Sequence, residues 1–118
     1  MAVDPVAIVI RYHAALNAFD PGEIETMLSP EAEYHSPSVG VLRGRASIIN
    51  AMSGYFAEYP DQVAQDDVVE LVAPDAVRCV WHLQATAKST GQSYVRRGTE
   101  KITLDDAGRI LRVEVSDL

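Results

Sequence analysis

Apolar side chains recur at helical spacing in the first segment of the chain. Ile8, Tyr12, Ala15, Leu16 and Phe19 fall on one face. Asp4 followed by Pro5 is a helix start, with an N-cap carboxylate and a proline at the first helical position. Asp20-Pro21-Gly22 is the stop, so a helix is predicted from Asp4 to about Phe19. A short second helix follows from Glu23 to Leu28, with Ile24, Met27 and Leu28 apolar. Glu31 to Ser36 reads as a short strand closed by Pro37, Ser38 to Gly44 as a loop, and Arg45 to Glu58 as a third helix. That helix carries Ile48, Met52, Tyr55 and Phe56 on its apolar side, with Tyr59 next to the terminating Pro60.

Beyond Pro60 the period changes from 3.6 to 2. Val63–Val72 is a first long strand. In Val77–Lys88, Cys79, Trp81, Leu83, Ala85 and Ala87 alternate with Val80, His82, Gln84, Thr86 and Lys88. In Ser93–Leu104, Tyr94, Arg96, Gly98, Glu100, Ile102 and Leu104 share the inner face. Arg109–Asp117 is the last strand, with Leu111, Val113, Val115 and Asp117 inward. Helices followed by an antiparallel meander define an α+β class, in which a twisted sheet wraps around the helices to bury one face. If Ser89–Gln92 and Asp105–Gly108 are tight connections, Trp81 and Val113 lie opposite Glu100, and Ala85 and Asp117 lie opposite Arg96.

The 118 residues suit a single domain, 1–118, and 47% hydrophobic residues can supply its core. A formal net charge of −7 opposes binding to a phosphate backbone, so no nucleic acid partner is expected. No apolar run reaches the length of a membrane span, so no membrane partner is expected. The opening MAVDPVAIVIRYH shows no basic leader or cleavage site, and Cys79 has no second cysteine to pair with; both point to the cytoplasm. The three histidines look ordinary: His82 on the outer strand face, His13 pointing away from Tyr12, His35 alternating away from Tyr34 and Ser36. They lack metal-ligand spacing, so no metal is expected. Cys79 reads as a small inert core residue.

The segments RYHAALNAFD (Arg11–Asp20), SPEAEYHSPSVG (Ser29–Gly40), RGRASI (Arg43–Ile48), VWHLQAT before a TG turn, and DAGRILRV (Asp106–Val113) resemble, in order, ketosteroid isomerases and their relatives. These belong to the nuclear transport factor 2-like superfamily, which includes SnoaL-like polyketide cyclases and limonene-epoxide-hydrolase-like enzymes. The resemblance implies a cone: three N-terminal helices in the concave face of a strongly curved, mostly antiparallel sheet, around one pocket for a small hydrophobic molecule. It implies no cofactor.

The resemblance also implies site residues. Tyr12 matches the tyrosine that binds a steroid oxyanion, and Glu100 falls where a protonated aspartic acid stands. A carboxyl held against an indole in a dry pocket stays neutral and donates a hydrogen bond. Ser36 replaces the isomerases' general base and Met52 a supporting tyrosine, so ketosteroid isomerisation is not expected. Arg96 with Asp117 resembles the water-activating arginine and carboxylates of the epoxide hydrolases, and a base must come from Asp117, His35 or His13. The expected catalytic set is Tyr12, Glu100, Asp117 and Arg96, lined by Tyr34, Ser36, Met52, Phe56, Trp81, Leu83, Val113 and Val115. Three functions remain open: a small acid–base enzyme (isomerase, cyclase, dehydratase or hydrolase type), a non-catalytic ligand-binding domain, and a homodimeric module pairing through the outer sheet face of His82, Gln84, Val95, Arg97, Thr99 and Lys101.

Overall fold

The computed structural model describes residues 4–118. Residues 1–3, counted above in the single domain and in the search for a leader, lie outside the described residues. Helix α1 spans Pro5–Asn17, α2 Pro21–Met27, β1 Leu28–Ser36, β2 Gly40–Arg43, α3 Arg45–Glu58, β3 Val63–Ala73, β4 Ala76–Thr86, β5 Ser93–Leu104 and β6 Ile110–Asp117. The strands form one sheet in the order β2-β1-β6-β5-β4-β3. All neighbours run antiparallel except β1 and β6, which are parallel because the α3–β5 segment lies between them in sequence. This is the expected α+β fold, with three helices packed against a mostly antiparallel sheet. No helix among the described residues is long and apolar enough to cross a membrane.

The helix boundaries have local causes. The Asp4 carboxylate accepts from the Val6 and Ala7 amides, and the Asp20 carboxylate from the Glu23 amide. Each satisfies donors that a helix start leaves open. Between them α1 ends through Phe19 in a left-handed conformation (φ 52°), with the Asp20 amide returned to the Ala15 carbonyl. The buried stripe of α1 is Val9, Tyr12 and Ala15, with Ile8 and Leu16 only half-buried, so the helix is rotated slightly from the predicted face. The expected loop Ser38–Gly44 contains β2, which pairs with β1.

Inner faces on β4 and β5 follow the predicted alternation, but the pairing differs by two residues. Cys79 lies opposite Glu100, Trp81 opposite Gly98 and Leu83 opposite Arg96. On the other side Glu100 meets Val115 and Ile102 meets Val113: Leu104 pairs with Ile110 rather than Arg109, and an irregularity between Thr103 and Leu104 adds one more residue to the slip. The same irregularity makes Ile110, not Leu111, the buried residue that opens β6. A shift of two keeps every residue on its face. What changes is the neighbour: Glu100 packs beside the Cys79 thiol rather than directly across from the Trp81 indole.

Trp81 instead lies on Gly98. A Cβ at Gly98 would stand 2.7 Å from Trp81 Cζ2 and 2.9 Å from the Ser116 carbonyl oxygen. One contact is with a buried ring and the other with backbone, so neither yields freely. We expect Gly98→Ala to destabilise the fold by about 1–3 kcal/mol, measured as a lowered urea midpoint with altered Trp81 fluorescence.

Candidate functional site

The sheet does not close onto α3, and a cavity of about 370 Å³ remains between α1, α3 and the inner faces of β3, β4 and β5. This explains why Met52, Tyr55 and Phe56 are only half-buried although they form the apolar side of α3. The predicted liners Tyr34, Met52, Phe56, Trp81 and Leu83 all border the cavity. Ser36, Val113 and Val115 do not: the valines are buried in the core, and the Ser36 hydroxyl bonds that of Ser38 at 2.9 Å.

The predicted catalytic residues separate into two places. Tyr12, Glu100 and Arg96 border the cavity. Asp117 lies outside it, 52% exposed, and accepts from Arg96 Nε at 2.6 Å between the neighbouring strands β5 and β6. Its role in the geometry is to fix Arg96, whose guanidinium also lies 5.4 Å from the Trp81 ring centre, within cation–π range.

His13 occupies a central position that the helical reading did not give it. Its Nε2 is 2.6 Å from Glu100 Oε1 and its Nδ1 2.8 Å from Asp66 Oδ2. Burial disfavours the charged imidazole, but the two carboxylates outweigh it and push the His13 pKa up to about 10. At neutral pH both ring nitrogens therefore carry protons and donate, one to each acid. Glu100, only 6% exposed, is thus partnered by a cation rather than held alone against an indole.

Asp66 was not singled out in the sequence. It lies on edge strand β3, where a bulge between Asp66 and Val68 interrupts the pairing with β4. Bulges re-aim side chains, and here the adjacent acids diverge: Asp66 turns in to His13, while Asp67 turns out to His82 Nδ1 at 2.9 Å. Asn17, one helical turn after His13, holds the strand in place. Its amide donates to the Ala64 carbonyl at 2.9 Å and accepts from the Ala64 amide at 3.0 Å. A polar pair four apart on α1, beside the apolar stripe, was the available signal for this second working face.

Among the described residues, two buried polar atoms have no hydrogen-bond partner: Tyr12 Oη and Arg96 Nη2. Both residues border the cavity. Burial, and secondarily the nearby Tyr34 and Glu100, holds the Tyr12 phenol protonated well above its usual range. Unpaired buried donors are costly and uncommon. Two that border one apolar cavity fit a ligand carrying acceptor oxygens. Burial likewise pushes the Cys79 thiol up, with Glu100 and Asp66 adding to the effect.

Comparison with solved structures returns the same fold at low sequence identity. The epoxide hydrolase/cyclase-like enzyme SalBIII, described in pyran ring formation in the polyether salinomycin, superposes with a TM-score of 0.85 at 17% identity, covering 97% of this chain and 90% of SalBIII. RV0760c from Mycobacterium tuberculosis, in complex with estradiol-17beta-hemisuccinate, gives 0.83 at 12% identity, covering 96% and 93%. An NTF2-like protein of unknown function from Burkholderia pseudomallei gives 0.84 at 14% identity, covering 98% and 92%. No curated protein matches the chain significantly in sequence. The model of the SnoaL-like domain matches residues 9–113, which include α1 from Val9 onward, the whole cavity and the first half of β6, and the chain therefore belongs to the SnoaL-like domain family.

Proposed function

We propose that this chain is a small enzyme working by acid–base chemistry, without a cofactor, on a hydrophobic molecule that carries a carbonyl, hydroxyl or epoxide oxygen. The observation that carries this reading is the Asp66–His13–Glu100 relay set in the wall of an apolar cavity that is also lined by Tyr12 and Arg96, each holding a buried donor without a protein partner. The substrate oxygen accepts from Tyr12 Oη and Arg96 Nη2, where negative charge that develops on it is stabilised. Glu100 takes the proton from carbon, or from an attacking hydroxyl or water, and His13 returns one. Asp66 orients the imidazole, and Asp117 holds Arg96. The base of this relay is Glu100 with His13, where the sequence left the base to Asp117, His35 or His13. SalBIII and RV0760c lend support as family-fold proteins associated with epoxide or cyclase-like chemistry and with a steroid ester, respectively.

The test is a panel of hydrophobic ketones, enones and epoxides incubated with the protein in deuterated water and followed by NMR. The expected result is deuterium incorporation next to a carbonyl, or ring opening or closure, with saturation kinetics. Binding of panel members with every one recovered unchanged would favour the second reading, a ligand-binding domain. The Ser36 hydroxyl favours that second reading, since it is bonded to Ser38 and outside the cavity at the place of the isomerases' base. In either reading we propose a homodimer formed through the outer sheet face, where exposed Val63 and Val95 flank Gln84 on neighbouring strands.

A further inference from the structure

We propose that His13, Cys79 and Glu100 form a three-donor site for a divalent transition-metal cation of borderline softness, with zinc(II) as the type, at the floor of the cavity. One ligand atom from each residue lies within 4.8 Å of the other two. They come from three elements: His13 from α1, Cys79 from β4 and Glu100 from the directly opposite position of β5. Histidine spacing along the sequence could not reveal such a site, because each element supplies only one donor.

Three features distinguish this cluster from an ordinary buried ion pair. First, the donor set is nitrogen, sulfur and oxygen. Imidazole and thiolate select zinc, cobalt or copper, whereas magnesium and calcium take oxygen donors. Second, His13 is already held as a metal-binding histidine is held. Its Nδ1 faces the Asp66 carboxylate at 2.8 Å, which leaves Nε2 on the side of Glu100. Such a carboxylate behind the imidazole fixes the ring and raises its donor strength. Third, the site is closed on one side and open on the other. Cys79 is fully buried behind it, while His13 and Glu100 border the cavity. Three protein ligands with a fourth position open to a cavity is the arrangement of zinc sites that exchange a water or substrate.

The charge balance permits the exchange. One divalent cation replaces the proton shared by His13 and Glu100 and the proton of the Cys79 thiol, so the net charge of the group is unchanged. Around zinc these donors stand roughly 3.2–3.7 Å apart. The 2.6 Å His13–Glu100 contact must therefore open to admit the cation. A bound cation uses the same imidazole nitrogen and carboxylate as the acid–base relay, so metal occupancy and the relay are alternatives. The site does not depend on the relay being catalytic.

The experiment is titration of chelator-treated, reduced protein with cobalt(II) under anaerobic conditions. The expected result is one equivalent taken up, with intense visible bands of four-coordinate cobalt and a sulfur-to-cobalt charge-transfer band in the near ultraviolet. The chain has a single cysteine, so that band assigns the thiolate to Cys79. Cys79→Ser loses the band, and Asp66→Asn, which leaves all three donors, weakens binding about 10–100-fold. The proposal is overturned if wild-type protein takes up no cobalt, or shows only the weak spectrum of oxygen-bound cobalt. Conversion of a substrate by metal-free protein is a separate outcome and leaves this one standing.

Discussion

Replacing His13 by leucine destabilises the protein by about 3–5 kcal/mol near pH 6.5, the cost of breaking a buried charge pair by removing one partner. Glu100, 6% exposed, then loses the donor at 2.6 Å, and Asp66 loses the one at 2.8 Å. Two carboxylates are left facing one apolar space with no cation between them. Leucine fills most of the imidazole's volume, so the loss is electrostatic rather than a cavity. The pH dependence identifies it. Burial lowers the affinity of His13 for a proton, but its hydrogen bonds to the Asp66 and Glu100 carboxylates raise it more, taking the pKa from 6.5 to about 10. A folded-state value above the unfolded one means that protonation stabilises the fold. That contribution is complete below pH 6.5 and is lost as the pH rises through 10, and a shift of this size is worth on the order of 5 kcal/mol. Urea midpoints of wild type and His13→Leu should therefore differ most near pH 6.5 and converge toward pH 10. A gap independent of pH would show that His13 acts only by packing.

Face was legible in this sequence, and neighbour was not. Strict alternation in β4 and β5 put Cys79, Trp81, Leu83, Arg96 and Glu100 inward, and each is inward in the structure or borders the cavity. The period-2 signal survives any even slip, so it cannot reveal one. The longer Ala87–Gln92 connection slides the β4–β5 pairing by two, which exchanges Trp81 for Cys79 opposite Glu100, and the turn plus the one-residue irregularity at Thr103–Leu104 together slide β6 by two, which exchanges Val113 for Val115. The family resemblance supplied the fold and the position of Tyr12 for the same reason: both follow from element order.

His13 and Asp66 were hidden by a different cause. One residue along a helix is a rotation of about 100°, which reads as pointing away from Tyr12. The sheet, however, curls around α1, and the edge strand β3 meets that flank of the helix. Tyr12 and His13 therefore both border the cavity, with ring centres 5.6 Å apart. Asp66 sits in an acidic stretch of an exposed edge strand, where a charge ordinarily faces water. Only the bulge, set by the pairing with β4, turns it inward.

Glu100→Gln lowers kcat/KM about 10²–10⁴-fold on any substrate that the panel identifies, the usual contribution of a positioned proton-transfer group. The substitution preserves size, and the amide oxygen still accepts from His13 Nε2. What disappears is the negative charge and the ability to take a proton. Glutamine also removes one of the two carboxylates that hold the proton on His13, so the His13 pKa falls toward its ordinary value. The variant should therefore also change the pH profile, moving the limb assigned to His13 from the alkaline side toward neutrality. A merely structural Glu100 would raise KM or lower stability and leave that limb in place. Arg96→Lys is the control for substrate binding. It keeps the charge near Asp117 but removes the Nη2 donor to the substrate oxygen, so it lowers kcat/KM through lost charge stabilisation while the His13 limb of the pH profile stays in place. Full activity in Glu100→Gln, with an unmoved pH profile, would remove the relay from the chemistry and leave Tyr12 and Arg96 as a binding pair in a non-catalytic pocket.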